Sequence, residues 1–295
     1  IVAEQLRNIG QTQVPIILEP IARNTAAAVA LAALQVQAMP QSQTLLVMPS
    51  DHVIADCDSF FAGLDRARPW AERGKLITFG ITAHATETGY GYIQCGEVLE
   101  DTIFAVAQFT EKPSRSVAQG YLESGGYVWN SGIFLFTAER ILHEMAQHSP
   151  AILAAASTAF AARTQAEHFI RPERAAMESC PSLSIDYAVM EHTKNAAVMP
   201  LDMGWCDLGS WASLHAISEK DAAGNTLYGN VIVQDTSNCH IRTNRPLIAA
   251  IGITDLIVVA ADNAVLIATH DTIGEIKTLM RSMVARGMPD TRLTS

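Results

Sequence analysis

The sequence predicts an α/β domain of strands and crossover helices, followed by a smaller β-rich appendage that a helix closes. Three observations carry this. Helical and strand patterns alternate through the first two thirds of the chain. A polar, Gly-containing break at 221–225 (DAAGN) interrupts that alternation. Beyond it, short runs of Val, Ile and Leu are punctuated by Gly, Asn and Asp, with little helical periodicity. The expected domains are therefore 1–222 and 223–295.

Taken in order, 25–39 (TAAAVALAALQVQAM) is a strong helix former, with Asn24 as a natural N-cap and Pro40 as its stop. The apolar run 43–48 (QTLLVM) reads as a buried parallel strand that ends in Pro49-Ser50-Asp51-His52. In open α/β sheets ligands bind outside the carboxyl ends of strands, so polar residues there are candidates for chemistry. Further strands are expected at 75–81, 102–109, 133–137 and 196–201, and helices at 138–147, 151–163 and 185–194. The appendage holds the runs NVIVQDTSNCHIRT, LIAAIGI, LIVVAA and AVLIAT. Residues 272–286 form an amphipathic helix with Ile273, Ile276, Leu279, Met280 and Met283 on one face.

Composition narrows the function. Of 295 residues, 49% are hydrophobic and 17% charged, which describes a globular chain. Lys and Arg total 20 against 30 Asp and Glu, a net charge of −10 that argues against nucleic acid as a partner. A small phosphorylated ligand needs only one or two placed cations and a metal. The five cysteines are scattered, with no C-x-x-C pair, and fit a reducing cytoplasm better than a disulfide framework. The most apolar long stretch, 249–268, is interrupted by Asp255, Asp262 and Asn263, so no membrane partner is expected. The chain opens on Ile1 within a helical pattern, so its beginning is expected to lie elsewhere.

Four polar clusters lie at or beside expected strands. Asp51 in MPSDHVI either caps the next helix or ligates a cation. Asp207 in MGWCDLGSW sits between glycines that allow close backbone approach. Glu111-Lys112-Pro113 is either a surface ion pair before a proline turn or a sugar-and-phosphate contact. TGYGYI (88–93) and WNSGIFLF (129–136) offer Tyr90, Gly91 and the donor and acceptor of Asn130. Two carboxylates after two strands suit Mg²⁺, which is held by one or two carboxylates plus phosphates and water.

The ordered series EPIARNTAAAVALAAL, MPSDHVI, TGYGYI, FTEKP, WNSGIFLF, SIDYAVME and MGWCDLGSW resembles the mannose-1-phosphate guanylyltransferases, also called GDP-mannose pyrophosphorylases. It is most similar to the bacterial type whose longer members add a phosphomannose isomerase domain. The resemblance implies a Rossmann-like nucleotidyltransferase domain with a mixed central sheet, then a left-handed β-helix-like segment that contributes to homodimers. It implies that GTP and mannose 1-phosphate give GDP-mannose and pyrophosphate, with Mg²⁺ as cofactor. On this sequence the metal and catalytic carboxylates would be Asp51 and Asp207, with Lys112 catalytic as well. Glu111, Lys112, Asn130, Gly91 and Tyr90 would bind the sugar phosphate, and Arg23, Asn24, Thr25, Ser50 and Asp51 the nucleotide.

The family's Gly-rich loop, of the form GGxGTRLWP, is expected to precede Ile1, because neither it nor another phosphate-binding loop occurs in the chain. The isomerase domain is likewise not expected within it. Two alternatives stay open at this point: transfer to another hexose 1-phosphate, and a truncated, non-catalytic relative that binds a sugar nucleotide.

Overall fold

The computed structural model describes residues 1–39 and 44–286. Packing divides the chain into two units, Ile1–Ser50 with Ile54–Trp205, and Asp51–Val53 with Cys206–Ser295. This line falls earlier than the composition break at 221–225, and the loop carrying Asp207 packs with the second unit.

The first unit is built on strands β1 (Thr44–Val47), β2 (Leu76–Thr82), β3 (Tyr92–Glu100), β4 (Ile103–Thr110), β5 (Tyr127–Thr137) and β6 (Ala196–Pro200). They form a mixed six-stranded sheet in the order β1-β5-β2-β6-β4-β3, and β3 also pairs with β5. Only β2 and β6 run parallel; the other pairings are antiparallel.

Both faces of the sheet are buried because the strands alternate two apolar sets. Leu76, Phe134, Phe136, Ala196 and Val198 pack against helices α1 (Asn24–Gln37), α3 (Ala138–His148) and α4 (Pro150–Ala161). Ile77, Phe79, Leu135, Ala197 and Met199 pack with Phe60, Ala67 and Ala71 of α2 (Cys57–Glu72). Alanines at 26, 27, 30 and 33, all fully buried, let α1 approach its neighbours closely.

Four local expectations need correction. The run at 43–48 is not a parallel strand: β1 pairs antiparallel with Phe134–Thr137 and leaves Leu46 exposed, while Gln43 and Pro40 lie outside the described residues. An apolar run encodes burial but not strand direction. The strand expected at 133–137 begins six residues earlier, at Tyr127, and passes through Gly132 at φ 70°. Residues 185–194 form no ordinary helix but one π-helical turn, Asp186–Met190, in which the Glu191 N–H donates to the Asp186 carbonyl. Asn24 is itself the first residue of α1 at φ 64°, and its Oδ1 accepts from the adjacent Thr25 N–H instead of from a later turn.

In the second unit, strands β7 (Thr226–Tyr228), β9 (His240–Thr243) and β11 (Leu256–Ala260) stack in parallel. So do β8 (Val231–Gln234) and β10 (Ile248–Ile251). Residues 17 apart meet in register, as in Val231↔Ile248, Ser237↔Thr254 and His240↔Ile257, which makes each coil sit on the last. Alternation again separates two apolar sets. Cys239, Ile241 and Val258 pack with Val231, Val233 and Ile248, whereas Ile257 and Val259 pack with Trp211 and Ala212 of helix α5 (Trp211–Ile217). Strand β12 (Val265–Thr269) pairs antiparallel with β11. A 3₁₀ turn, Ile273–Glu275, then leads to helix α6 (Ile276–Ala285). The expected single helix from 272 is therefore two pieces; its face buries Ile273, while Leu279 is 50% exposed. No helix among the described residues is long and apolar enough to cross a membrane.

Candidate functional site

In the first unit, the end of β4, the start of β3, the middle of β5 and the π-helical turn converge. Glu111 follows β4 with its side chain 8% exposed, and its Oε1 forms an ion pair with Lys112 Nζ at 2.9 Å. Lys112 takes φ 47° directly before Pro113, an uncommon conformation for a non-glycine residue. The backbone there is held by the Glu111 N–H, which donates to Glu191 Oε1 at 2.8 Å, and by the Tyr187 hydroxyl, which donates to the Glu111 carbonyl at 3.5 Å. The Glu111 hydrogen bond first, and nearby carboxylates after it, hold the Lys112 ammonium above its ordinary value.

Gly91 is needed at this point. A Cβ on it would lie 2.6 Å from Glu111 Oε2 and 3.2 Å from Asn130 Cβ, so even a methyl group would displace the Glu111 carboxylate. Asn130 is buried in β5, and its Nδ2 donates to Asp186 Oδ1 at 2.9 Å. Burial first, and the Glu111 charge second, push the Asp186 carboxyl up to about 6. Lys112 thus pairs with Glu111 and feels the Asp186 charge, while Glu191 holds the Glu111 backbone. A site of this kind offers acceptors for hydroxyl groups and one ammonium for an anion.

Asp186, Glu191 and Thr78, whose hydroxyl donates to Asn130 Oδ1 at 3.0 Å, were not singled out by sequence reasoning. The signal was the segment SIDYAVME, but a helix reading of it leaves Asp186 without a role. The π-helical turn gives it one.

Tyr90 packs edge-on against Trp129 and Trp205, with ring centroids 5.2 and 5.4 Å away, and so forms part of an aromatic wall. Two of the residues expected at the nucleotide, Arg23 and Thr25, are tied to backbone. Arg23 donates to the carbonyls of Met177 and Glu178, at 2.9 and 2.5 Å, and the Thr25 hydroxyl accepts the Ile185 N–H at 2.8 Å. Ser50 is exposed.

Asp51 and Asp207 belong to the second unit. The capping alternative for Asp51 is removed, because Asp56 caps α2: its Oδ1 accepts the Ser59 N–H at 2.9 Å and its Oδ2 the Ser59 hydroxyl at 2.6 Å. Asp207 lies in a tight loop in which its Oδ1 accepts the Gly209 N–H at 3.0 Å. A Cβ on Gly209 would collide with Asp207 Oδ2, so the loop needs glycine at this position. The donor set is all oxygen, and among the described residues no group of three or more His, Cys, Asp and Glu is placed to hold a metal. Each carboxylate offers hard oxygen donors, the kind that Mg²⁺ takes beside phosphates and water.

The family description "Nucleotidyl transferase" matches residues 1–224, about three quarters of the chain. The chain belongs to the nucleotidyl transferase family. A second description, "MannoseP isomerase/GMP-like beta-helix domain", matches residues 229–283 of this nucleotidyl transferase. Mannose-1-phosphate guanylyltransferase of Escherichia coli (strain K12) is 47% identical over 99% of the chain and 63% of its own length. Xanthan biosynthesis protein XanB of Xanthomonas campestris pv. campestris (strain B100) is 47% identical over 97% of the chain and 60% of its own. The chain thus spans about three fifths of the length of these curated relatives. A crystal structure named as mannose-1-phosphate geranyltransferase from Thermus thermophilus superposes with a TM-score of 0.77 at 28% identity, covering 96% of this chain and 81% of that one.

Proposed function

We propose that this chain carries the nucleotidyl transfer that joins mannose 1-phosphate to GTP, giving GDP-mannose and pyrophosphate. The observation that carries it is the Glu111–Lys112 pair set against the bare backbone of Gly91, in a chain 47% identical to a mannose-1-phosphate guanylyltransferase. A sugar-phosphate oxygen attacks the α-phosphorus of GTP and pyrophosphate leaves in line, so the chemistry asks chiefly for alignment and charge screening. Lys112 places its ammonium on the sugar phosphate. Glu111 Oε2, and the Nδ2 hydrogen of Asn130 not used by Asp186, take hexose hydroxyls. Asp51 and Asp207 hold Mg²⁺, which screens phosphate charge when bound. GTP also meets the segment from Arg23 to Thr25 and Ser50. Because Arg23 and Thr25 spend their side chains on backbone groups, they act there by shaping the segment.

The same reading places the enzyme in the cytoplasm, where its five free cysteines stay reduced, and makes the β-helix unit the seat of a homodimer. The test is pyrophosphate release by the purified chain with GTP, mannose 1-phosphate and MgCl₂. Release is expected with this pair above other nucleotides and hexose 1-phosphates. Release with another hexose alone moves the specificity. Binding of GDP-mannose without turnover makes the chain a sugar-nucleotide-binding relative.

A further inference from the structure

The chemistry above leaves Asp186 without a direct task, yet its half-buried carboxylate is held by a specific hydrogen bond. Its Oδ1 accepts from Asn130 Nδ2 at 2.9 Å. The other end of that amide is also taken. Asn130 Oδ1 accepts from the Thr78 hydroxyl at 3.0 Å and from the Gly132 N–H at 3.2 Å, and Thr78 is fully buried.

These bonds admit one orientation only. A flipped amide would set its NH₂ against the Gly132 N–H, two donors together, and its carbonyl oxygen against Asp186, two acceptors together. With Oδ1 fully used and one Nδ2 hydrogen on Asp186, a single N–H of Asn130 is left for a ligand among the described residues. Asn130 lies against the bare backbone of Gly91: its main-chain N–H donates to the Gly91 carbonyl at 2.8 Å, and its Cβ stands 3.2 Å from where a Gly91 Cβ would be.

We propose that Asp186 is a positioning residue that locks the Asn130 amide so that its remaining N–H selects one hydroxyl group of the hexose. This rests on the sugar 1-phosphate reading above and deepens it. Asp186 acts through Asn130 and touches no reacting atom. It is placed for this by the π-helical turn Asp186–Met190, whose wider winding also brings Glu191 to the Glu111 backbone N–H. The charged groups that act on Asp186 are Glu111 and Lys112, and Glu191 follows directly after the turn. Raising the carboxyl to about 6 is the cost of holding it there.

The experiment is calorimetric titration of the whole chain with mannose 1-phosphate, with deoxy analogues each lacking one hydroxyl, and with GTP. In Asp186→Ala, mannose 1-phosphate is expected to bind about tenfold more weakly and GTP to change by less than about twofold, the scale of one lost oriented hydrogen bond. One analogue, the one lacking the selected hydroxyl, is expected to bind the wild type and Asp186→Ala alike. Asp186→Asn keeps an acceptor oxygen and should restore mannose 1-phosphate affinity to within about threefold.

Unchanged mannose 1-phosphate affinity in Asp186→Ala, or an equal loss for every analogue and for GTP, would overturn the proposal. Failure of the wild type to bind any hexose 1-phosphate would instead bring down the functional reading. The locking itself is then decided by the Asn130 side-chain amide resonances in ¹⁵N-labelled protein. They should shift with pH around the Asp186 titration in the wild type and not in Asp186→Asn; identical behaviour in both would overturn the lock.

Discussion

The two units bury ionisable groups in opposite ways. In the first, Glu111, Asp186 and Glu191 each have a partner: Lys112, the Asn130 amide and the Glu111 N–H. In the second, His215, His240 and His270 cluster with ring centroids 6.0 Å (His215–His240) and 4.8 Å (His215–His270) apart. His215 and His270 find Thr226, Asn238 and a carbonyl, but both ring nitrogens of His240 are buried with no hydrogen-bond partner among the described residues. Burial first, then the positive neighbours His215, Arg242 and His270, push His240 down to about 4. Paired polar groups around a bare glycine backbone make a candidate site; an orphaned imidazole in a β-coil makes a weak point in stability. The two also answer pH with opposite sign.

The largest effect expected at the first cluster is from Lys112→Ala, which removes the cation paired with Glu111. Pyrophosphate release should fall by about 10² or more, the scale of one preorganised charge contact. Asp51→Asn and Asp207→Asn should each bring a comparable loss of Mg²⁺-dependent rate while the thermal unfolding curve stays in place. Wild-type rates in both carboxylate variants would remove the metal assignment.

The next effect lies in the second unit. His240 takes a proton near 6.5 when unfolded but near 4 when folded, so stability held above pH 6.5 is lost as the pH falls toward 4. The loss is up to about 3 kcal/mol, since each pK unit is about 1.4 kcal/mol. In His240→Leu the melting temperature should fall less over that range; an unchanged profile would show that His240 is not the acid-sensitive group.

Asp186 gives the mirror image. Its carboxyl titrates near 3.8 unfolded and about 6 folded, so the stability associated with its protonated form is present below pH 3.8 and lost as the pH rises through about 6. Asp186→Asn should therefore stabilise the chain at pH 8 by about 2 kcal/mol, and by little near pH 4. Destabilisation at pH 8 would contradict the burial argument. The smallest effect is from Gly91→Ala, where the new Cβ meets Glu111 Oε2, and mannose 1-phosphate should bind about tenfold more weakly with the fold kept.

Much of the architecture was legible in the sequence because it rests on periodicity. The alternation that puts Leu76 and Ile77 on opposite faces, and Ile257 and Val258 likewise, is written directly in the chain. Strand direction was not, since the run at Thr44–Val47 reads the same parallel or antiparallel. The Glu111–Lys112–Gly91–Asn130 grouping was readable from ordered motifs. Asp186 was hidden because a π-helical turn and an ordinary helix share apolar spacing over five residues, and only tertiary packing chose between them. The histidine cluster was equally hidden, because His215, His240 and His270 lie on separate elements and meet only when the coils stack.

The central claim is that the paired cluster in the first unit is the binding site and the orphaned cluster in the second is structural. Calorimetric titration of mannose 1-phosphate into the wild type, Lys112→Ala and His240→Leu at pH 7.5 tests it most directly. Equal affinity in the wild type and His240→Leu, with a loss of about 10² in Lys112→Ala, is the predicted result. Retained affinity in Lys112→Ala, or an equal loss in His240→Leu, would contradict it.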